Sequence, residues 1–256
     1  VLVRGGRAHG VRLEGGEEIH ARRAVLADVG APQLYEQLLE PAEVPGALRD
    51  DLRRFQYDTG TVKVDWALDG PIPWSAPDAR RAGTVHVADG IEELSGHALE
   101  IVRGELPTRP FLLLGQYAHF DPTRAPAGRE AAWAYTHVPQ GLEWDAGRAA
   151  GFADRMEEQV ESRAPGFRAL IRSRHVFTPD RLEAANRNLV GGALNGGTAQ
   201  LHQTLVFRPT PGLGRAETPV RGLYLASASA HPGGGVHGAC GANAARAALR
   251  WSGLRR

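Results

Sequence analysis

The residues with the clearest chemical potential form the run HPGGG at positions 231–235. Gly233, Gly234 and Gly235 have no side chains to shield their backbone amides, so a flat ligand can lie directly against the chain there. The segment at 238–248 is dense in glycine and alanine, which predicts a tightly packed helix that begins at this turn. Because a helix N-terminus favours negative charge, the pattern predicts a site for a flat ligand with an anionic edge. The structural alternative is a tight turn before an alanine-rich core helix.

The polar residues around this turn suggest other chemistries, which the spacing does not support. His231 and His237 could form a metal-binding pair, but no third ligand with suitable spacing follows, so no metal site is predicted. Ser227 or Ser229 could act with His231 in a hydrolase, but the G-x-S-x-G elbow is missing. Two roles stay open for His231, which either positions a ligand or bonds to the backbone of the turn. The sequence therefore identifies no catalytic residue.

The turn is positioned by an apolar strand at Leu223, Tyr224 and Leu225 and by the small residues at 226–230, which let another group approach the end of the strand. Hydrophobic periodicity and glycine or proline breaks predict the remaining elements. These are a meander of short strands in 1–29, a helix opened by Pro32, a short helix at 45–54, a strand at 59–68, a strand pair at 111–120 and 130–138, a helix at 145–163, and a long ordered loop at 187–219.

Composition excludes several classes of protein. The chain has 30 basic and 29 acidic residues, so its formal charge of +1 gives no field that attracts nucleic acid. No run approaches the roughly 18 apolar residues of a membrane-spanning helix. The single cysteine, Cys240, cannot form an internal disulfide and fits a reducing compartment, so a cytoplasmic location is predicted. The chain does not begin with methionine, and we expect it to be a piece of a longer protein.

Residues 222–249 closely resemble the C-terminal signature of bacterial-type phytoene dehydrogenases and their relatives. The matching positions are Gly222, Tyr224, Leu225, Ala228, Ser229, His231, Pro232, Gly233, Gly235 and Val236. Ser227 departs from the signature, which usually has glycine there, and Ala242 stands near an expected glycine or serine. The segment at 188–212 and the opening meander are similar to other parts of the same relatives.

The resemblance implies an α/β fold with α+β character, namely part of a two-domain FAD-binding fold with an inserted strand-and-helix substrate domain. Residues 1–58 would form a β-meander and linking segment of the FAD-binding domain. Residues 59–186 would form the substrate domain, and 187–256 the flavin-contacting segment. The family begins with a strand, GxGxxG, a helix and an acidic residue, and this chain has no such unit. The resemblance therefore implies an N-terminal FAD-binding half as a partner.

The resemblance also implies an FAD-dependent dehydrogenase or desaturase that passes hydride from an apolar or amine substrate to flavin. The residues that would bind the cofactor are Ser227, Ala228, His231, Pro232, Gly233, Gly234, Gly235 and Val236. We expect the isolated chain to be inactive, and a polyene substrate would imply peripheral membrane association. The alternative is a non-catalytic interaction or scaffold module that has lost the nucleotide-binding half.

Several further residues have two interpretations each. Lys63, the only lysine, could hold a water beside the flavin as in some amine oxidases, or face solvent from its strand. Arg208 could contact a phosphate or the flavin edge, or form a surface salt bridge. Cys240 is predicted to be buried and inert. Five aromatic residues could line an apolar substrate cavity or pack in a core: Trp66, Trp74, Trp133, Tyr117 and Tyr135.

Overall fold

The computed structural model describes the backbone of residues 1–253 and the side chains of residues 1–250. The predicted range 187–256 therefore ends in three residues, 254–256, that lie outside the described ones. The chain forms two compact units. Unit 1 comprises Val1–Asp58 and Asn188–Arg256, and unit 2 comprises Thr59–Arg187.

Unit 1 begins with the predicted meander, in which strands β1 (Leu2–Arg4), β2 (Arg7–Arg12) and β3 (Glu18–His20) form an antiparallel three-stranded sheet. Gly5 and Gly6 join the first two strands with φ of +57° and +68°, a conformation that favours glycine. Strand β4 (Val25–Ala27) follows, and then come a short π-helical turn (Gln33–Gln37), a 3₁₀ turn (Pro41–Glu43) and helix α1 (Gly46–Leu52). The short helix predicted at 45–54 is thereby confirmed.

Unit 2 is built on one five-stranded antiparallel sheet with strand order β6-β7-β8-β5-β9. The strands are β5 (Gly60–Leu68), β6 (Thr84–Val87), β7 (Leu112–Gln116), β8 (Glu130–Val138) and β9 (Ile171–Phe177). The helices are α2 (Pro77–Arg81), α3 (Ile91–Val102), α4 (Ala146–Glu161), α5 (Phe167–Leu170) and α6 (Pro179–Ala185). The predicted strand at 59–68, strand pair and long helix are confirmed.

The two faces of this sheet differ because side chains alternate along each strand. On β5, Val62, Val64 and Trp66 are buried in a core that also holds Phe152 and Met156 of α4. The two residues between them, Lys63 and Asp65, are only partly buried and lie on the opposite face. One face of the sheet therefore builds the core, and the other presents polar and aromatic side chains.

The chain then returns to unit 1 through 3₁₀ turns at Val190–Gly192, Leu201–Gln203 and Leu205–Phe207. Strand β10 (Leu223–Leu225) is buried throughout, as its apolar pattern predicted. It pairs in parallel with β4. Helix α7 (Ala239–Gly253) follows. The mixture of parallel and antiparallel strands with helices confirms the predicted α/β class with α+β character.

Helix α7 begins later than predicted. The expectation that the three glycines open the helix is wrong, because Val236, His237 and Gly238 separate Gly235 from Ala239. Gly238 has a φ of +61°, which a right-handed helix cannot contain, so the helix can start only after it.

Within the described residues, no helix combines the length and apolar character needed to cross a bilayer.

Candidate functional site

The segment after β10 is tied to the end of β4 by hydroxyl groups. Ser227 Oγ donates a hydrogen bond to the carbonyl oxygen of Val29 at 2.6 Å and accepts one from the amide of Ser229 at 3.1 Å. Ser229 Oγ in turn donates to the carbonyl oxygen of Gly196. The serine at the departure from the family signature thus directs its hydroxyl to the backbone, and both serines act in positioning the chain.

The glycine turn that follows is open to solvent. Gly233 is buried, whereas Gly234, Gly235 and Val236 are exposed, and the Val236 side chain is fully exposed. Gly233 and Gly235 have φ of +116° and +152°, which side-chain-bearing residues rarely adopt. The turn therefore presents bare backbone beside one exposed apolar side chain.

Glycine is also required at the turn because a neighbouring loop packs closely against it. A Cβ on Gly234 would lie 2.9 Å from Asn195 Oδ1, and a Cβ on Gly196 would lie 3.0 Å from the amide nitrogen of Ser229. Asn195 is itself fixed, since its Nδ2 donates to Asp58 Oδ2 at 2.8 Å. The contacts show that the loop around 195–197 forms one wall of the turn.

Arg208 is the largest fully buried side chain near the turn, with only 1% of its surface exposed. All five N–H donors of its guanidinium meet backbone carbonyl oxygens, which belong to Asn195, Gly197, Thr198, Gln203 and Ala228. Burial away from water lowers the pKa of this group. The predicted surface salt bridge of Arg208 is wrong, and because every donor is occupied, a phosphate contact is not supported either.

His231 and Cys240 lie under the turn. The His231 carbonyl oxygen accepts a bond from Asn243 Nδ2 at 3.5 Å, while its ring Nδ1 is buried and has no hydrogen-bond partner among the described residues. Cys240 is buried, as predicted, and its Sγ lies 3.2 Å from the carbonyl oxygen of Gly233. An unpartnered ring nitrogen at this place is a group that a ligand or a water could satisfy.

The first turn of α7 adds positive partial charge next to the glycine turn. The helical ladder starts where the amide of Ala242 donates to the carbonyl oxygen of Gly238. The amide of Ala239 donates to His237 Nδ1 at 3.0 Å. The backbone hydrogen bonds of the helix include no acceptor for the amides of Cys240 and Gly241. This end of α7 therefore favours an anionic group.

In unit 2 the structure separates the aromatic residues into two groups. Trp66 and Trp74 are buried in the core, where their Nε1 atoms donate to Glu157 at 3.0 Å and to Gln116 at 2.9 Å. For these two, the cavity-lining hypothesis is wrong, because they belong to the packed core. A second group lies on the opposite face of the sheet and consists of Trp133, Tyr135 and Tyr117. Within this group, the Trp133 ring lies beside Lys63.

Comparison with known proteins places the chain among oxidoreductases, although no family profile matches it. Pyridine nucleotide-disulfide oxidoreductase domain-containing protein 2 of Rattus norvegicus is 34% identical over 260 residues, which cover 96% of this chain and 44% of that protein. A zeta-carotene-forming phytoene desaturase of Myxococcus xanthus is 27% identical over 242 residues, covering 92% of this chain and 43% of the desaturase. The chain thus spans less than half the length of these relatives.

A solved structure shares the fold of the chain. A structure of putrescine oxidase redesigned in its cofactor binding matches with a TM-score of 0.59 at 11% identity, covering 96% of this chain and 46% of the oxidase. Identity this low shows a common fold alone. The sequence relatives and the shared fold together match the chain to the C-terminal part of phytoene-dehydrogenase-like oxidoreductases.

Proposed function

We propose that this chain supplies the flavin-ring end of the cofactor site in an FAD-dependent oxidoreductase, which transfers hydride from an apolar or amine substrate to the flavin. The observation that carries the proposal is the exposed turn at 234–238, which lies beside the amides of Cys240 and Gly241, for which the first turn of α7 provides no acceptor. The kinship with phytoene desaturases supports the reaction class.

The donor set of the turn fits an isoalloxazine ring. Such a ring is flat, and its reduced form is anionic along the pyrimidine edge, which backbone amides at a helix N-terminus stabilise. Gly234 and Gly235 would lie against the ring, and exposed Val236 would cover part of its apolar surface. Ser227, Ala228 and Pro232 would hold the backbone in place, and His231 would use its free Nδ1 for positioning.

Bound FAD would supply the two-electron acceptor for the substrate's hydride. The chain's own contribution is to orient the acceptor and to stabilise developing negative charge through amides that are already in place. We further propose that an N-terminal half with a GxGxxG unit holds the nucleotide end, as the greater length of the relatives suggests.

The first test uses Val236→Asp in this chain co-expressed with such an N-terminal half. Since the Val236 side chain is fully exposed, the change should not affect folding. If the side chain covers the ring, FAD affinity should fall roughly tenfold, the equivalent of about 1.5 kcal/mol of apolar burial. Val102→Asp, at an exposed position of unit 2, is the matched control and should leave affinity unchanged.

The unaltered complex tests the cofactor itself. We expect it to purify with a yellow chromophore whose absorbance bleaches on reduction. A correctly folded but colourless complex would contradict the proposal and favour a scaffold role. Quenching of FAD fluorescence by the chain alone measures how much of the site the turn provides by itself.

A further inference from the structure

Helix α3 of unit 2 turns its polar side toward the protein. His97 is buried, and its Nδ1 accepts a hydrogen bond from a backbone amide at 3.4 Å. Glu93 accepts a bond from Arg163 at 3.4 Å. Glu100 accepts from the amide of Thr108 at 3.1 Å and from its hydroxyl at 2.8 Å. These three acceptors are three or four positions apart and share one face of the helix, so polar contacts hold α3 against unit 2.

The apolar side chains of α3 point away from that face. The exposed fraction is 69% for Ile91, 49% for Leu99 and 84% for Val102, and Leu94 is exposed as well. Among the described residues, the apolar core of unit 2 contains no side chain of α3. A surface helix ordinarily turns its apolar stripe to the core. An apolar stripe that faces outward is typical of a surface that contacts another molecule.

The outer face of α3 has a two-fold order of residue types. Since successive residues are about 100° apart around a helix, six exposed residues lie within about 70° of one line along α3. We call them the α3 stripe: Ile91, Leu94, Ser95, Ala98, Leu99 and Val102. Turning the helix end for end exchanges Ile91 with Val102, and likewise the two leucines and the two small residues. Such a patch is complementary to a second copy of itself, as a two-fold dimer contact requires.

The charges beside the stripe favour an antiparallel pair. Glu92 and Arg103 are exposed and lie on the same flank of the stripe. In an antiparallel pair, Arg103 of one copy lies on the same side as Glu92 of the second copy, only about 3 Å from it along the axis. The two-fold axis forms this contact twice. A parallel pair would instead place like charges at the same level, which is unfavourable.

The charge of the helix itself does not suit a lipid surface. Helices that lie on membranes typically carry lysine or arginine on their polar face. The segment 91–102 contains three glutamates and neither lysine nor arginine. The polar face of α3 is also occupied by its contacts with unit 2. A second copy of the chain therefore fits the stripe better than an anionic membrane does.

The size of the stripe sets the strength of the contact. Helix α3 has 12 residues and is therefore about 18 Å long. The small residues Ser95 and Ala98 at the centre let two such helices approach closely. One helix pair still covers less than the roughly 1,200 Å² at which stable interfaces begin, so we expect a weak dimer with a Kd on the order of 10 μM.

We propose that the α3 stripe is a self-association surface, at which two copies of this chain pair through antiparallel α3 helices. The apolar residues supply the affinity, and the two contacts between Glu92 and Arg103 set the direction of pairing. The surface belongs to unit 2 alone, so the proposal does not depend on flavin binding.

Sedimentation velocity of the 256-residue chain tests the dimer at concentrations from about 1 to about 200 μM, which bracket the expected Kd. Leu99→Asp should raise the Kd at least about tenfold, because a carboxylate replaces apolar surface that the contact buries. Leu13→Asp is the matched control, since Leu13 of unit 1 is 44% exposed, and it should leave the Kd unchanged. Circular dichroism shows whether each variant folds.

Reversal of charge tests the direction of pairing. Glu92→Arg alone, or Arg103→Glu alone, converts both ionic contacts into like-charge contacts and should raise the Kd roughly tenfold. An equimolar mixture of these two variants has opposite charges at both contacts and should return to within about threefold of the parent. A merely structural role of either residue would not produce recovery on mixing.

Three results would each overturn the inference: a parent chain that stays monomeric at about 200 μM, a dimer that Leu99→Asp does not weaken, or single charge variants that do not recover on mixing. If the monomeric parent instead pellets with phosphatidylcholine vesicles and Leu99→Asp does not, the stripe belongs to a lipid surface. Flavin content of the co-expressed complex is measured separately, so failure of the flavin proposal and failure of the dimer proposal are distinguishable.

Discussion

Arg208 Nε lies 2.7 Å from the carbonyl oxygen of Ala228, and through this bond a buried guanidinium joins two segments that are 20 residues apart in sequence. The remaining donors hold the loop at 195–203. Arg208 also packs beneath the glycine turn, since a Cβ on Gly233 would lie 3.2 Å from its Cδ. The turn and the loop therefore form one body, whose geometry depends on a side chain that touches no solvent.

Replacing Arg208 by lysine should lower the free energy of unfolding by about 3 kcal/mol, because an ammonium has three donors and at least two buried carbonyls would lose their partners. Urea denaturation followed by circular dichroism measures the change. Arg215→Lys, at an exposed position of the same segment, should change stability by less than about 0.5 kcal/mol. Equal effects of the two substitutions would contradict the role assigned to Arg208.

A second buried ionic group supports the core of unit 2. Glu157 Oε1 accepts from Trp66 Nε1 at 3.0 Å and from Arg174 Nη1 at 2.9 Å. Glu157→Ala leaves both donors without this acceptor and should destabilise the chain by about 3 kcal/mol. The neighbouring Glu158 is largely exposed, and its alanine variant should cost less than about 0.5 kcal/mol. Urea midpoints of the two variants provide the comparison, and similar midpoints would refute it.

Local patterns were sufficient to predict several elements of both units. Three such patterns determine local structure: the alternation at 59–68, the apolar residues at every fourth position in 145–163, and the Gly-Gly pair of the meander. The strand, the helix and the turn that they predict are all observed. The alternation along β5 also places Trp66 with the core and Lys63 on the other face. The period of the strand therefore already distinguished the residues that face the core from those on the opposite face.

Tertiary contacts account for what the sequence did not predict. Nothing near Arg208 in sequence indicates that carbonyls from 195–203 and from 228 converge on it, so its burial could not be inferred locally. The start of α7 depends on the positive φ of Gly238. The amino-acid composition of the segment does not reveal this backbone conformation. Strand β9 has no regular alternation of polar and apolar residues, and its pairing with β5 decides its structure.

His97 predicts a pH dependence of stability. Its ring is largely buried on α3, and burial, followed by the charge of nearby His137, lowers its pKa in the folded state, against weaker raising effects of Glu93 and Glu100. The unfolded chain, with a histidine pKa of about 6.5, therefore binds the proton first as the pH falls, and stability is lost below that pH.

In a series of urea denaturations at decreasing pH, the parent should lose stability below pH of about 6.5 faster than His97→Asn, by at most about 1.4 kcal/mol per pH unit. His86→Asn, at an exposed position of β6, should follow the parent. If the free energy of unfolding falls equally with pH in the parent and in His97→Asn, burial of this imidazole does not cause the loss of stability at low pH.

Gly115 tests whether the position of the Trp133 ring depends on the geometry of the sheet. A Cβ at this position would lie 2.5 Å from Trp133 Cε2, so Gly115→Ala must displace the indole or shift β7 against β8. Overpacking of this kind should lower the free energy of unfolding by about 1–3 kcal/mol. Displacement of the ring also exposes it, so the tryptophan emission maximum should move to longer wavelength while the secondary structure is retained. Gly96→Ala is the control, because a Cβ there meets nothing within 4 Å and α3 gains a better helix former. If Gly115→Ala leaves both stability and emission unchanged, the space at Gly115 does not determine the position of the Trp133 ring.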